Sequence, residues 1–357
     1  MKAKSILVTG GAGFVGSSLA ISLKRKYPEY NIISFDNLKR RGSELNLKRL
    51  ATENVRFLHG DIRNREDFYS IDENIDVVIE ASAEPSVLAG LSGTPDYLLN
   101  TNLVGTINCL NFANKHNSDF LFLSTSRVYP IDKIEEISFD ESDTRFNISN
   151  SQRMPGISPN GISEEFPLQG YRSLYGASKL SSELIISEYN HFYKLRTVIN
   201  RCGVLTGPWQ MGKIDQGVVV LWMARHYWKT PLSYIGYGGL GKQVRDMLHV
   251  DDLFSLVDLQ IHDIEKFNGN TYNVGGGREI SLSLKELTYL CQEVTHNSIS
   301  IQSVTEDRQA DIRIYITDNK KIETACDWKP KIKPLQILEE IFEWIRKNEG
   351  DLKQILN

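Results

Sequence analysis

The sequence predicts an α/β protein: a doubly wound parallel sheet followed by a smaller C-terminal α/β domain. Three observations support this fold class. Short β-rich runs alternate with helical periodicity through the first half, a glycine-rich turn joins the first such run to the first helix, and this texture changes near residue 204. We therefore expect a first domain over residues 1–203, rejoined by about 244–272, and a second domain over 204–357.

The elements follow in order along the chain. Six short runs rich in β-branched and aromatic residues are candidate strands: Ser5–Thr9, Asn31–Asp36, Val55–His59, Asp76–Ala81, Asp119–Thr125 and Thr197–Cys202. Two helices are indicated by apolar residues at helical spacing, Val15, Leu19 and Leu23 before Pro28, and later Leu99, Leu103, Ile107 and Leu110. A strand-like run, Asp246–Val250, is expected to return to the first sheet. A terminal amphipathic helix begins at Pro334 and carries Leu335, Leu338, Phe342 and Ile345.

Composition narrows the class of protein. The chain has 357 residues, of which 41% are hydrophobic and 24% charged, an ordinary globular balance. A formal charge of -4 gives no general attraction to nucleic acid or anionic lipid. No apolar run is long enough to span a membrane, the N-terminus lacks a secretory segment, and the four cysteines show neither a CxxC motif nor metal spacing. We expect a cytoplasmic protein with reduced thiols, no metal site, and no nucleic-acid or membrane partner.

The segment Thr9–Gly16 is a candidate phosphate-binding turn, since it lies between a predicted strand and a predicted helix. Gly10 and Gly11 permit the tight turn, Gly13 lets the backbone approach a pyrophosphate, and Gly16 allows close helix–sheet packing. The N-terminus of the helix, with Phe14 and Val15, offers unpaired N–H groups to the phosphates. Such a glycine run alone is also compatible with a plain turn.

Asp36 strengthens the prediction of a dinucleotide site. It ends the second candidate strand, 20 residues beyond Gly16, where a carboxylate accepts the ribose hydroxyls and repels a 2′-phosphate. NAD is therefore favoured over NADP, although Arg40 and Arg41 nearby argue the other way. An alternative role for Asp36 is a helix N-cap. Asn37, Arg40, Asp61 and Ile62 complete the predicted adenosine side of the site.

Tyr175-Gly-Ala-Ser-Lys179 predicts a catalytic helix, because a spacing of four residues puts Tyr175 and Lys179 on one face. The lysine ammonium lowers the pKa of the phenol, which then serves as a general base near neutral pH. This spacing is also common on solvated helix faces. At the end of the fifth candidate strand, Thr125 is the expected hydroxyl partner and Ser124 the alternative, because strand ends face the ligand crevice. A plain polar strand end is the competing interpretation.

These motifs together resemble the extended short-chain dehydrogenase/reductase family. The resemblance is carried by Gly10, Gly13, Gly16, Asp36, Asn102–Asn108, Ser124–Tyr129, Tyr175–Lys179 and Arg245–Asp251. It implies a Rossmann domain that binds NAD, a nucleotide-sugar domain, and the catalytic set Thr125, Tyr175 and Lys179. It adds Ala81, Ala83 and Asn102 to the expected NAD contacts, together with Tyr175 and Lys179. It also implies a homodimer or homotetramer, paired through the helices near 99–110 and 180–192.

The substrate side rests on fewer residues. Arg245 and Arg308 are candidates to bind the pyrophosphate of a nucleotide sugar, because a guanidinium binds phosphate in a bidentate manner. Either could instead be a surface charge. The run Arg308-Gln-Ala-Asp311 matches the family's arginine-to-acid pattern, with Asp311 at the nucleotide ribose. Asp215 and Gln216 are expected to line the nucleotide pocket, and Ser124 and Thr125 to contact the sugar.

Four further segments, 35–42, 59–64, 214–217 and 241–249, resemble the members that invert C2 of a CDP-linked deoxy sugar for lipopolysaccharide synthesis, through a 2-keto intermediate. A UDP-sugar 4-epimerase, a simple reductase and a 4,6-dehydratase are the alternatives. Dehydration is disfavoured, because dehydratases place an acid directly after the strand-five threonine, where this chain has Ser126 and Arg127. Three features depart from the family pattern: Glu80 in place of a histidine, Pro130 in place of a glycine, and a long polar segment over 152–170.

Overall fold

The computed structural model describes residues 3–91, 93–212 and 216–356. Contacts divide the chain into two compact units. The first comprises Met1–Val128, Leu174–Arg201 and Leu253–Tyr272, and the second comprises Tyr129–Ser173, Cys202–Asp252 and Asn273–Asn357. Residues 129–173 thus pack with the second unit, although the sequence prediction groups them with the first. The binding roles expected for the two parts stay predictions.

The bounds of the elements are as follows. The strands are β1 Ser5–Thr9, β2 Asn31–Asp36, β3 Arg56–His59, β4 Val77–Glu80, β5 Asp119–Thr125, β6 Phe139–Glu141, β7 Phe146–Ile148, β8 Ile157–Ser158, β9 Gly161–Ile162, β10 Thr197–Cys202, β11 Val204–Thr206, β12 Leu232–Ile235, β13 Val244–His249, β14 Asn270–Val274, β15 Ser281–Ser283, β16 Ile301–Val304 and β17 Ile314–Tyr315. The α-helices are α1 Phe14–Lys26, α2 Leu45–Thr52, α3 Asp96–Leu99, α4 Thr106–His116, α5 Ile131–Glu135, α6 Leu174–Tyr193, α7 Val218–Tyr227, α8 Val250–His262, α9 Ile264–Phe267, α10 Leu284–Thr295, α11 Lys320–Cys326, α12 Pro334–Lys347 and α13 Glu349–Leu356.

A seven-stranded sheet with the order β14-β10-β5-β4-β1-β2-β3 forms the frame of the first unit. The pairs β1–β2, β1–β4, β2–β3 and β4–β5 are parallel, and the order reverses at β1, which makes the sheet doubly wound. The α/β Rossmann-like fold predicted from the sequence is therefore confirmed. Four predicted strands have the observed bounds, because β1, β2, β5 and β10 are continuous buried runs flanked by turn residues.

Two helices of the first unit bury a polar face, which the apolar periodicity did not anticipate. In α6 the buried residues include Ser178, Lys179 and Glu183, whereas the apolar Leu184 is 64% exposed. The predicted helix around 99–110 is in fact α3, a π-helical segment over Asn100–Gly105, and α4. Its buried face carries Asn102 beside Leu110, since the side-chain amide of Asn102 finds hydrogen-bond partners inside the protein.

The second unit is built around β13. This strand pairs with β11 and β17 in parallel and with β15 in antiparallel orientation, so the predicted run 246–250 does not return to the seven-stranded sheet. The sheet has the order β11-β13-β15, and β17 also pairs with β13. In that pairing, Arg245 of β13 lies opposite Tyr315 of β17. Helix α12 begins with Pro334 in its first turn and buries Leu338 and Ile345, as predicted, whereas Leu335 is 38% exposed.

Across the part of the chain that is described, no helix has both the length and the apolar character needed to cross a bilayer. The four cysteines are free, with Cys109, Cys202 and Cys291 buried and Cys326 half-buried.

Candidate active site

The turn between β1 and α1 forms an open cradle at a helix N-terminus. Gly10 adopts φ +62°, and a Cβ there would lie 2.8 Å from the carbonyl oxygen of Ala81. A Cβ on Gly16 would lie 2.2 Å from the carbonyl oxygen of Gly10, so only glycine allows the helix to approach the turn this closely. A Cβ on Gly13 would meet only the Gly10 oxygen, at 3.1 Å. The space above Gly13 is thus open, with the half-buried Phe14 and Val15 beginning the helix beside it.

Asp36 closes one side of this cradle. One carboxylate oxygen accepts from the backbone N–H of Ala12 at 3.1 Å, and the other from that of Leu38 at 2.7 Å. Burial raises the pKa of Asp36, and the backbone N–H groups of Leu38, Ala12 and Gly13 oppose this shift. The carboxylate is therefore fixed at the end of β2 against the glycine turn, which is the arrangement that fits the adenosine ribose of NAD.

Asp61 lies in a second polar cluster next to β3. Its carboxylate accepts from Asn37 at 2.9 Å and from the guanidinium of Arg63 at 2.5–3.0 Å. Burial alone would raise the pKa of Asp61, but the hydrogen bonds from Arg63 and Asn37 lower it to about 2. Arg63 also stacks on the ring of Tyr97, 4.7 Å from its centroid. The cluster therefore presents the ionised carboxylate of Asp61 and the planar guanidinium of Arg63, and both groups are suited to the edge of an adenine base.

Ile62 and Arg40, which are also predicted to contact the adenosine part of the cofactor, have different surroundings. The Ile62 side chain belongs to the core, and its carbonyl oxygen accepts from the side chain of Asn108 at 2.9 Å. Arg40 is half-buried and has a partner of its own within the protein. The contact of Ile62 with the cofactor would therefore be through its backbone.

The loop after β4 is fixed by Asn102, and Ala81 and Ala83 in it are half-buried. The Asn102 amide accepts from the backbone N–H of Glu84 at 2.8 Å and donates to the Glu84 carbonyl at 3.1 Å. It also donates to the hydroxyl of Ser178 on α6 at 3.2 Å. Asn102 is fully buried and its amide is occupied by these bonds. It therefore fixes the loop after β4 against α6, and its contact with a cofactor stays a prediction.

Tyr175 and Lys179 lie one turn apart near the start of α6. Tyr175 is half-buried, whereas Lys179 is 1% exposed. The Lys179 ammonium lies 3.8 Å from the centroid of the Phe122 ring on β5 and 3.9 Å from a carboxylate oxygen of Glu80 on β4. The structure thus places a buried cation one helical turn from a half-buried phenol.

The end of β5 carries the two hydroxyl candidates, which have different surroundings. The Thr125 hydroxyl oxygen accepts from the backbone N–H of Arg127 at 3.1 Å and keeps its own hydrogen to donate. The Ser124 hydroxyl instead donates to the carboxylate of Glu183 at 2.5 Å. That carboxylate also pairs with Arg201 at 2.8 Å. Ser124 therefore belongs to a buried network between β5, α6 and β10, and Thr125 is the better candidate to contact a substrate.

Glu183 and Arg201 form a buried ion pair beside Ser124 that the sequence reasoning missed. Glu183 continues the face of Tyr175 and Lys179, four residues further along α6, and that spacing was the available signal. Arg201 lies on β10, and nothing near it in the sequence points to its partner.

In the second unit, Arg245 and Asp311 are brought together. The Arg245 guanidinium donates to Asp311 at 2.8 Å and to the carbonyl oxygens of Ile312 and Val244 at 2.5 and 2.8 Å. A turn links Asp311 to Arg308, since the Asp311 N–H donates to the Arg308 carbonyl at 3.2 Å. Several Arg245 donors are thus used within the protein, and Arg308 is half-buried and also has a partner there, so the phosphate contacts of both stay predictions.

Gln216 precedes α7 and is half-buried. Among the described residues, its side-chain carbonyl oxygen is buried and has no hydrogen-bond partner, which suits a residue that accepts from a ligand. Asp215, predicted beside it, lies outside the described residues. No group of three or more potential metal ligands occurs in the described part of the chain.

Comparison with known proteins agrees with this geometry. Residues 6–275 match the model of the NAD dependent epimerase/dehydratase family. The chain is 31% identical to CDP-paratose 2-epimerase from Salmonella typhi, over 95% of this chain and 98% of that protein. The NAD complex of dTDP-glucose 4,6-dehydratase from Bacillus anthracis has a similar structure, with a TM-score of 0.78, 27% identity, and coverage of 99% and 100% of the two chains. UDP-glucose 4-epimerase from Thermotoga maritima is also similar, with a TM-score of 0.78, 26% identity, and coverage of 97% and 99%.

Proposed function

The chain belongs to the NAD dependent epimerase/dehydratase family, and we propose that it is the epimerase that converts CDP-paratose into CDP-tyvelose by inverting C2 of the sugar. The observation that carries this proposal is the 31% identity to CDP-paratose 2-epimerase over nearly the whole of both chains. The product would serve the synthesis of lipopolysaccharide sugars.

The polar groups after β5 favour epimerisation over dehydration. Eliminating water from a sugar requires an additional acid and base close to the carbon that loses the hydroxyl. Ser126 and Arg127 occupy the two positions after Thr125, so no carboxylate is present there. The catalytic groups Thr125, Tyr175 and Lys179 are sufficient for oxidation and reduction of one carbinol carbon, which is all that epimerisation requires.

The cofactor would lie in the cradle above Gly13, with its ribose at Asp36. When bound there, NAD would supply the hydride acceptor and donor for the sugar carbon. The Asp36 carboxylate would accept hydrogen bonds from the ribose hydroxyls and would repel a 2′-phosphate. Asn102 fixes the neighbouring Ala81–Ala83 loop through its bonds to Glu84 and Ser178.

The chain's own residues would move the proton. Tyr175, as phenolate, takes the proton of the C2 hydroxyl while Thr125 donates a hydrogen bond to the same oxygen. The buried ammonium of Lys179 stabilises the phenolate. After the 2-keto sugar has presented its other face, Tyr175 returns the proton to the oxygen at C2. Substrate and product differ only in configuration, so no external oxidant is consumed.

In the second unit, we assign the phosphates of the nucleotide to Arg308, with Arg245 as a second contact. The bond from Arg245 holds the carboxylate of Asp311 in place, and we expect this acid at the nucleotide ribose. Gln216 supplies a buried amide oxygen without a partner among the described residues, which would accept from the nucleotide base.

We also propose that the protein is a cytoplasmic homodimer or homotetramer. Apolar side chains on neighbouring helices are exposed, namely Val104 at 40%, Leu184 at 64% and Phe192 at 69%. Pairing with a second copy would bury them. Free cysteines suit a reducing compartment. Light scattering at several protein concentrations tests the assembly, and a monomer at all of them would contradict it.

The proposed reaction is tested by incubating the purified protein with CDP-paratose and following the sugar by NMR. CDP-tyvelose should form, and UDP-glucose should not be converted. The matched variant Tyr175→Phe keeps the ring but removes the proton acceptor, so its turnover should fall roughly 10²–10⁴-fold. Inversion of UDP-glucose at C4 without action on CDP-paratose would overturn the substrate, and near wild-type turnover of Tyr175→Phe would overturn the role of the base.

A further inference from the structure

Asn46 is a buried amide at the start of α2 that contacts the glycine turn. It is 1% exposed, and its side-chain NH₂ group donates to the carbonyl oxygen of Ala12 at 2.8 Å, 34 residues earlier in the chain. Its side-chain oxygen accepts from the Arg49 guanidinium at 2.6 Å. Buried polar side chains are retained where their polar atoms are hydrogen-bonded, and here one of the two bonds ends on the turn predicted to hold a pyrophosphate.

The bond from Asn46 completes the anchoring of Ala12, which is 0% exposed. The Ala12 N–H donates to Asp36 at 3.1 Å, and this bond fixes the peptide unit that precedes Ala12. The Ala12 carbonyl belongs to the next peptide unit, whose other end, the Gly13 N–H, donates to the Gly10 carbonyl at 2.9 Å. Asn46 therefore fixes that second unit, so the turn is held from both β2 and α2.

The glycine turn has few side chains of its own to hold its shape. Glycine loses more conformational freedom on folding than any other residue, so a glycine-rich turn is ordered mainly by contacts from outside it. Gly13 is the N-cap of α1, and among the described residues no side chain caps this helix end. The fixed side chains of Asp36 and Asn46 therefore supply constraints that the turn itself lacks.

The orientation of the Asn46 amide is set by its two partners. The guanidinium of Arg49 can only donate, so the Asn46 oxygen must face it and the NH₂ group must face the Ala12 carbonyl. Arg49 also donates to the Ser17 hydroxyl on α1 at 3.4 Å. Burial lowers the pKa of Arg49 to about 10, which still leaves the guanidinium charged at neutral pH. The donor of Asn46 is therefore directed at Ala12.

We propose that Asn46 is a positioning residue for the cofactor, which holds the glycine turn through the Ala12 carbonyl in the shape that accepts the pyrophosphate of NAD. The inference rests on the proposed function only in placing NAD above Gly13. When a binding segment is already ordered, the free energy of ordering it does not weaken binding. Without the bond from Asn46, the turn would become ordered only when NAD binds, so the cofactor would bind more weakly.

The direct test is calorimetric titration of the full-length protein, freed of cofactor by dialysis, with NAD. Asn46→Ala should weaken NAD binding roughly 5- to 10-fold, as expected for loss of one net hydrogen bond. Asn46→Asp keeps an acceptor for Arg49 but places an oxygen against the Ala12 carbonyl, so it should weaken binding at least as much. Unchanged affinity in Asn46→Ala would overturn the proposal. Wild-type affinity in Asn46→Asp would show that the contact with Arg49 matters instead, and would also contradict it.

Asn190→Ala is the matched control. The Asn190 amide donates to the carbonyl oxygen of Leu195 at 2.9 Å, a bond of the same kind between α6 and the residues before β10. Its loss should lower the urea unfolding midpoint and leave the affinity for NAD at the wild-type value. If Asn190→Ala weakened NAD binding as much as Asn46→Ala, the effect would be one of general stability, and the proposal would be wrong. The titration needs no sugar, so failure to convert CDP-paratose leaves its result intact.

Hydrogen exchange followed by mass spectrometry tests the turn itself. Without NAD, peptides that cover residues 9–17 should exchange faster in Asn46→Ala than in the wild-type protein, and saturating NAD should largely remove the difference, because the turn is then ordered in both. Equal exchange in the two proteins without NAD would contradict the proposal. If neither Asn46→Ala nor Asn46→Asp folded, the requirement for Asn46 would be structural, and the proposal would be wrong.

Discussion

Replacing Glu183 by glutamine should strongly destabilise the protein. The Glu183 carboxylate accepts from Arg201 at 2.8, 3.1 and 3.2 Å and from the Ser124 hydroxyl at 2.5 Å. The side chains of Arg201 and Glu183 are only 7% and 4% exposed. In Glu183→Gln one acceptor oxygen becomes an NH₂ group facing the guanidinium, and the buried guanidinium loses the negative charge of Glu183. Breaking such a pair from one side costs about 3–5 kcal/mol.

The assay is urea unfolding followed by circular dichroism at neutral pH. Glu343→Gln is the matched control, since this carboxylate is 44% exposed and pairs with Arg346 at the surface, and its unfolding midpoint should stay at the wild-type value. The double variant Glu183→Leu/Arg201→Met should recover most of the loss, because no charge is then left buried. A loss below about 1 kcal/mol for Glu183→Gln would refute the reasoning, since that is the range of exposed ion pairs.

Two further predictions concern the adenosine side of the site. NAD should bind more tightly than NADP in calorimetric titrations, because the Asp36 carboxylate is expected to face the 2′-phosphate. Asp36→Ala should therefore reduce the difference in affinity between the two cofactors. Tighter binding of NADP by the wild-type protein would contradict this prediction. Asp61→Asn should cost about 2 kcal/mol of unfolding free energy at neutral pH, since the pKa of Asp61 falls from 3.8 to about 2 in the folded protein and one pKa unit corresponds to about 1.4 kcal/mol. This contribution exists only while the carboxylate is ionised, so it should disappear as the pH falls from about 4 to about 2. Unfolding midpoints that differ equally at every pH would count against it.

The sequence predicted the strands better than the helices. Strands β1, β2 and β5 are buried on both faces, so they appear as unbroken apolar runs with clear ends. In α6 the apolar pattern was misleading. Lys179 and Glu183 are buried because each has a partner in the protein, whereas Leu184 is exposed. Periodicity records hydrophobicity and contains no information about such partners.

The site shows the same limit. The sequence predicted four site residues from residue types at a characteristic spacing: Gly13, Asp36, Tyr175 and Lys179. The partner of Ser124 lies 59 residues away, so the residue type was identified but its contact with Glu183 was not. Glu80 was visible as a departure from the family pattern, and only the structure shows that it lies beside Lys179.

We propose that C2 is inverted by oxidation and reduction of that one carbon. The most direct test uses CDP-paratose carrying deuterium at C2, incubated with the protein and NAD in ordinary water, with the product analysed by mass spectrometry and NMR. Since the hydrogen removed from C2 returns to C2, the deuterium should remain there in CDP-tyvelose, and a parallel reaction in deuterated water should introduce none. Loss of the label to solvent, or uptake of solvent deuterium at C2, would show a deprotonation route and contradict the account.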